Sequence, residues 1–303
     1  MISRLEHDGI VWVDLDRPTP EEIQTIAKEF KIHSLVADEL YAPSERSKVD
    51  PYDDYTYLIF HFPSCIKGSG KCEEREIDFV LGKKFLITTH YETENAIIEF
   101  AKKFEVNAEL RKRKLSHAGY VFYYLMIEMY AGVKRDIRLV SYQLSEIEHQ
   151  IFTGQERQMV INLSLASRNI IDFKRAIRHH EGLLDSFEKI ANSFFNNHFN
   201  YYLDDLDGEY GKIKNLLDAT KETLVELRET NDSLVSTKMN EIMKNLTIMA
   251  FVTFPLSLIA AIFGMNTVQM PIVGHPFDFW LIVGVMLISV IYMYSYFKYR
   301  KWI

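Results

Sequence analysis

Between Lys244 and Asp278 the chain carries no Asp, Glu, Lys or Arg, and the stretch from Asp278 to Lys298 is again uncharged inside. That absence excludes an ordinary amphipathic surface helix, which keeps charge on its outer face. What is left are two apolar segments, roughly Leu246–Phe263 and Phe279–Phe297. Each is about as long as the ~20 helical residues needed to cross a hydrocarbon core. They read as a transmembrane hairpin closed by a loop over 264–278 that has no Lys or Arg. Lys238 and Lys244 precede the first span, and Lys298, Arg300 and Lys301 follow the second. The positive-inside rule then puts both termini in the cytoplasm and the loop outside, in a multi-pass protein of the cell (inner) membrane.

Other scarcities narrow the reading further. Two cysteines, Cys65 and Cys72, cannot supply a four-ligand zinc site. In the cytoplasm they are expected to be reduced, either simply buried or placed in a hairpin. The opening residues, Met1 to His7, contain no apolar run, so no cleaved signal peptide is expected. A net charge of −7 argues against a nucleic-acid partner and leaves an acidic excess where a divalent cation could be held. No nucleophile–base pair or histidine–carboxylate metal motif stands out, so no enzyme and no organic cofactor is expected. Gly68-Ser-Gly-Lys71 has the wrong spacing for a phosphate loop and reads as a turn. His179, His180 and His275 lack partners at ligand spacing and read as surface residues.

What is present gives an α+β membrane protein. Residues 1–115 form a cytoplasmic α/β domain. Gly9–Asp14 alternates as a strand, and Thr19-Pro20-Glu21-Glu22 opens a helix with a threonine cap and proline in the first turn. Tyr55–Pro63 and Glu76–Leu81 read as a hairpin, Lys84–His90 as a further strand and Glu94–Phe104 as a helix. Proline is then absent from Ser116 until Pro255. A cytoplasmic helical hairpin is expected over 116–200, as helices over 116–152 and 156–198 with a break near Thr153-Gly154. Glu128 interrupts the apolar run Tyr120–Val133, which is too short to span and reads as a buried helix. Leu203, Leu206, Tyr210, Ile213, Leu217, Thr220, Leu224, Leu227, Asn231 and Leu234 follow 3–4 spacing, a heptad seam for lengthwise packing. No Gly or Pro falls between Lys212 and Phe254. A stalk over 201–245 and a first span over 246–263 therefore read as one helix, about 90 Å long at ~1.5 Å per residue. The second span covers 279–297, and a basic tail covers 298–303.

The first span ends in Gly264-Met265-Asn266, followed by Met270-Pro271. This resembles the CorA family of divalent-cation transporters, whose signature is Gly-Met-Asn at that place. The likeness runs from about residue 12 to the end. It includes Trp12–Thr19 with Glu21-Glu22-Ile23, Ile32-His33-Ser34-Leu35 with Asp38-Glu39, and Lys48-Val-Asp-Pro-Tyr52. It continues through Phe79–His90, Tyr202–Leu206, Met239–Thr247 and the closing Tyr296–Ile303. Two positions depart from the family pattern. The loop Thr267-Val-Gln-Met-Pro271-Ile-Val lacks the acids usual there, and Ala261 stands where glycine is usual.

One chain with two spans cannot enclose an ion path, so pore function needs an oligomer; the resemblance implies a homopentamer lined by the first span. Asn240, Met243, Thr247, Ala250, Phe254, Ser257, Ala261 and Gly264 share one uncharged stripe at 3–4 spacing. Small residues there also suit close helix packing. On the family pattern the stripe lines the pore, Met243 and Leu246 make an apolar constriction, and Gly264, Met265 and Asn266 form the selectivity filter. An uncharged lining suits Mg²⁺, which sheds water reluctantly and would be held too long by a carboxylate ring. Leu203–Asp232 carries nine acidic and four basic residues, which by itself suits a solvated helix face. The resemblance implies a regulatory Mg²⁺ site between subunits at Glu39 with Asp38 and Asp205, with Glu229 at a further acidic stalk position. The transported ion would be Mg²⁺, with Co²⁺ and Ni²⁺ as further cargo. A Zn²⁺ transporter of the same fold and a non-transporting membrane-anchored scaffold or sensor are the alternatives.

Overall fold

The computed structural model describes residues 2–44, 46–65, 72–106, 116–195, 197–265, 272–274, 276–300 and 302. The chain separates into two compact units, Met1–Arg228 and Glu229–Ile303.

The first unit begins with strands β1 (Ile2–His7) and β2 (Ile10–Asp16), helices α1 (Pro20–Phe30) and α2 (Ser34–Glu39), and strands β3 (Lys48–Pro51), β4 (Tyr55–Cys65), β5 (Cys72–Gly82) and β6 (Phe85–His90). The sheet order is β1-β2-β6-β5-β4-β3, with β2 and β6 parallel and every other pair antiparallel. β4 is buried without a break from Tyr55 to Pro63, as expected for a central strand covered on both faces. Tyr55, Tyr57 and Ile59 point to one face and pack with Ile23, Val36 and Leu40 of the α1–α2 side. Phe60 and Phe62 point to the other. The capping box foreseen at Thr19 is present: Glu22 donates its amide N–H to Thr19 Oγ1 and accepts the Thr19 N–H at 2.9 Å.

Helix α3 spans Asn95–Val106, and α4 spans Gly119–Gln150. They cover the second face, where Trp12 meets Phe100 at 5.1 Å and Phe79 meets Phe122 at 5.2 Å. The break foreseen near Thr153-Gly154 is a wide turn over Ile151–Gln155, in which Gly154 takes φ 95°, a conformation open to glycine and strained for side chains.

The sequence implies one helix over 156–198, but the structure has two: α5 (Glu156–Ile177) and α6 (His180–Phe194). The cause is His180, which turns inward rather than lying on the surface. It is fully buried, with Nδ1 3.1 Å from the Tyr130 hydroxyl and Nε2 2.8 Å from the His61 carbonyl. Burial lowers its pKa to about 4, so it is neutral. β1, β3 and α2 are additions to the sequence reading, and β5 starts four residues earlier than expected. The Cys65 and Cys72 thiols, expected reduced, are joined in a disulfide because register makes them direct partners where β4 ends and β5 begins, at the connected end of the hairpin. The turn at Gly68–Lys71 and His275 lie outside the described residues.

Helix α7 runs from Asn200 to Phe263, 64 residues with Pro255 as the only proline inside it. It is thus the single helix expected for stalk and first span. Its seam residues from Leu203 to Leu227 are buried, as is Asn231, and Leu234 is half-buried. Polar pairs fix its register within the first unit. Tyr123 donates to Asp205 at 2.6 Å, Lys134 pairs with Glu209, and Ser141 Oγ lies 2.9 Å from Thr220 Oγ1. Both numbers of each pair rise together, so α4 and α7 run parallel. Helix α8, Asp278–Tyr299, follows. Among the described residues, α7, through its last part, and α8 are the two helices long and apolar enough to cross a membrane.

Candidate pore stripe and acidic sites

Within the second unit, the positions at 3–4 spacing on α7 fall on one face because the helix is unbroken through them. Asn240, Met243, Phe254, Ser257 and Ala261 are exposed, with Leu246 exposed at the margin; Thr247 and Ala250 are half-buried. Phe254 is 72% exposed, an unusual position for a phenylalanine that no neighbour of its own chain covers. The Thr247 hydroxyl donates to the Met243 carbonyl at 2.8 Å, which satisfies its proton and leaves its oxygen able to accept. Pro255 has no N–H to offer the carbonyl of Phe251, one place where the ladder of α7 is interrupted.

The helix closes tightly. Gly264 donates its N–H to the Ala260 carbonyl at 2.9 Å, and Met265 to the Ile262 carbonyl at 3.3 Å. A Cβ at Gly264 would stand 3.1 Å from the Ala260 oxygen, so any side chain there would press on the final turn. Met265 is exposed. Asn266, the third member of the signature, lies outside the described residues, as do positions 267–271. On the far side of the loop, Asp278 in the first turn of α8 accepts N–H bonds from Gly274 at 3.1 Å and Phe279 at 2.6 Å.

The acids named for regulation are placed as follows. Asp38 and Glu39 end α2, which is held at its start by the His33 ring accepting the Leu35 N–H at 3.2 Å. Asp38 is exposed, and Glu39 is ion-paired with Lys48 at 2.7 Å; Lys48 also reaches Asp50 at 2.6 Å. Burial alone would lower the Lys48 pKa, but these two carboxylates outweigh it and raise it. Asp205 is exposed on α7 and accepts the Tyr123 hydroxyl, while Glu229 is exposed in the second unit. Among the described residues no group of three or more His, Cys, Asp or Glu could hold a metal ion within one chain. Glu39 sits beside Lys48 at the end of α2, and Asp205 beside Tyr123 on α7.

The sequence reading missed a second acidic feature behind α2. Glu76 and Asp78 point to one face of β5, and both are buried. Tyr91 donates to Asp78 Oδ2 at 2.9 Å, and its hydroxyl lies 3.4 Å from the Glu39 carbonyl. Burial pushes the Asp78 carboxyl well above its ordinary range, and the neighbouring Glu76 charge pushes it further. Glu76 is held by the Ser44 N–H at 2.5 Å and by His61 at 3.3 Å. Burial alone would lower the His61 pKa, but its bond to Glu76 prevails and raises it.

The profile described as "CorA-like Mg2+ transporter protein" matches residues 7–300. The cobalt/magnesium transport protein CorA of Thermotoga maritima is 22% identical over 281 residues, covering 93% of this chain and 80% of that protein. The magnesium transport protein CorA of Helicobacter pylori is 23% identical over 318 residues, covering 99% and 92%. The complete structure of the CorA magnesium transporter from Methanocaldococcus jannaschii superposes with a TM-score of 0.84 at 20% identity, over 97% of this chain and 92% of that one. An α/β soluble unit, a long helix and two apolar helices are what this likeness in fold covers. The chain belongs to the CorA-like family of membrane-embedded Mg²⁺ and divalent-cation transporters.

Proposed function

We propose that this chain is the subunit of a homopentameric, channel-like transporter that carries Mg²⁺ inward through a pore lined by the α7 stripe. The observation that carries the reading is the family match over residues 7–300, which takes in the whole of α7. The uncharged stripe from Asn240 to Gly264 supports it, since in one copy all of it is exposed except the half-buried Thr247 and Ala250. Asn266 rings the outer mouth and accepts hydrogen bonds from the ion's own water shell; Asn240 forms a second polar ring. Met243 and Leu246 narrow the pore between them with apolar surface that closes by dewetting. With both termini cytoplasmic, a divalent ion crossing ~100 mV gains about 4.6 kcal/mol, twice the single-charge value, and no other energy source is required.

Gating by internal Mg²⁺ follows the same proposal. The ion sits between Asp38 or Glu39 of one subunit and Asp205 of its neighbour, with Glu229 adding charge along the stalk. Bound ions screen the acids and hold the ring shut; their loss lets repulsion loosen it. Lys48 competes for Glu39 and weakens the ion's hold there.

One specific observation favours a second reading: the loop after Gly-Met-Asn has lost its acids, which changes the charge met by an arriving ion. Uptake into proteoliposomes, with Mg²⁺ competed by Co²⁺, Ni²⁺ and Zn²⁺ at fixed internal Mg²⁺, separates the two. Saturable Mg²⁺ uptake inhibited by Co²⁺ and little affected by Zn²⁺ supports the first. Zn²⁺ uptake untouched by excess Mg²⁺ overturns it in favour of a Zn²⁺ transporter.

A further inference from the structure

In the second unit, α7 and α8 line a half-open cavity of about 400 Å³ near the C-terminal end of the chain. Phe251 and Pro255 form its α7 wall, and Tyr292, Tyr296, Arg300 and Trp302 are on the α8 side. The tail is folded back to make it: Trp302 donates its backbone N–H to the Phe297 carbonyl at 2.9 Å and stacks on the Phe297 ring at 5.8 Å. The Arg300 guanidinium lies 5.9 Å from the centre of the Tyr296 ring. Among the described residues no carboxylate is within ion-pair distance of Arg300. The chamber thus combines an apolar, aromatic interior with one cation that pairs with no carboxylate among the described residues.

Its position on α7 separates it from the pore. Phe251 and Pro255 each follow a stripe residue by one position, Ala250 and Phe254. At 3.6 residues per turn that is roughly 80–120° around the helix from the centre of the stripe. If the stripe faces the pore axis, as proposed above, the cavity lies on the flank of α7 and off that axis. Tyrosine and tryptophan are the side chains that favour the membrane–water boundary, and arginine reaches from that depth to phosphate. A zwitterionic lipid would offer the same acyl chain but no net negative charge.

We propose that this cavity is a binding site for an anionic phospholipid, its acyl chain against Phe251, Pro255 and Tyr292 and its phosphate on Arg300. The inference rests on the α7 stripe facing the pore, and the occupant is lipid rather than a neighbouring copy of the chain. Arg300 supplies the headgroup preference, and Trp302 closes the chamber beside it.

Trp302 is also the reporter. The full-length protein carrying Trp280→Phe is placed in phosphatidylcholine vesicles containing a small, equal fraction of phosphatidylglycerol or phosphatidylcholine brominated on the acyl chain. Trp12 is buried in the soluble unit and gives a constant background. The brominated anionic lipid is expected to quench Trp302 with roughly five-fold stronger apparent binding, the effect of one cation at an anionic surface. Arg300→Gln should reduce it to the phosphatidylcholine level, Arg300→Lys should keep most of the preference, and Lys298→Gln, outside the cavity lining, should leave it intact. Equal quenching by the two lipids overturns the proposal. Loss of preference in Lys298→Gln as large as in Arg300→Gln also overturns it, because the basic tail then acts as a diffuse charge. Quenching by neither lipid means that another copy of the chain covers the cavity, again against the proposal. Mg²⁺ uptake measured in the same vesicles tests transport separately, since a lipid site can fail while flux persists.

Discussion

The two units solve the burial problem in opposite ways. In residues 1–228 the large aromatics are inside: Phe60, Phe79, Phe122 and Phe187 are fully buried around one another. Polar groups there are tied up in pairs such as Tyr123–Asp205 and Tyr91–Asp78. In residues 229–303 the order is reversed, with Phe254, Phe279, Trp280 and Tyr292 exposed and Phe297 the one buried large side chain among the described residues. A unit that holds its own core is complete as one chain. A unit whose apolar surface faces outward needs cover from outside its own chain, of the kind a bilayer supplies. The 64 residues of α7 belong to both, so changes in packing along the seam have a continuous helix through which to act on the stripe.

The contrast is tested most strongly by trading equal aromatics between the units. Phe122→Ala should cost about 3–5 kcal/mol of stability in thermal or denaturant unfolding of the soluble unit. Phe254→Ala, on the exposed stripe, should move the same transition by less than about 0.5 kcal/mol and alter ion flux instead. Similar costs for both would mean that Phe254 is packed within its own chain, and the contrast would fail.

Protonation offers a sharper probe of the soluble interior. Burial holds the Asp78 carboxyl well above the ordinary aspartate range, so the fold prefers it neutral. Its contribution is fully present below the unfolded value and is lost as pH rises through the raised folded value. Unfolding followed from about pH 4 upward, near the ordinary aspartate pKa, should therefore show wild type losing stability relative to Asp78→Asn. The variant should be the more stable at the top of the range. A variant less stable at every pH would mean that Asp78 is ionised and paired in the fold.

Smaller effects are expected at the acidic surface sites. Lys48→Met frees Glu39 from its ion pair, and closure of the transporter should then need a few-fold less internal Mg²⁺, because an exposed pair is worth about 0.2–1 kcal/mol. An unchanged Mg²⁺ dependence would remove Glu39 from the regulatory site. Smallest of all, Thr247→Val removes only a hydroxyl bonded to the Met243 carbonyl, and stability should stay within about 0.5 kcal/mol.

How far the sequence could be read varied with the range of the interactions involved. The spans, the continuous α7, the Thr19 cap and the break at Gly154 rest on local pattern, and each is visible in a window of a few turns. β1 escaped notice although Asp8-Gly9, with φ of 51° and 72°, is a tight-turn signal, because Ile2–His7 is an exposed edge strand with little apolar content. The break at Arg178-His179 was hidden for a different reason. It depends on His180 finding Tyr130 and His61, 50 and 119 residues away, and no helical periodicity records that. Glu76 and Asp78 sit among five charged residues in Glu73–Asp78, and their strand was legible but their burial was not, because it depends on Tyr57, Tyr91, His61 and Ser44 brought from elsewhere. The regulatory role proposed for Glu39 and Asp205 rests on resemblance alone, since no acidic group among the described residues of one copy marks a metal site.

The most direct test of the transport reading is Mg²⁺ uptake into proteoliposomes under an inside-negative potential, comparing wild type with Asn266→Ala at equal, verified pentamer content. The account predicts rapid potential-dependent uptake by wild type and its collapse in the variant. Equal uptake by the two, or none by either, would contradict it and leave a membrane-anchored scaffold.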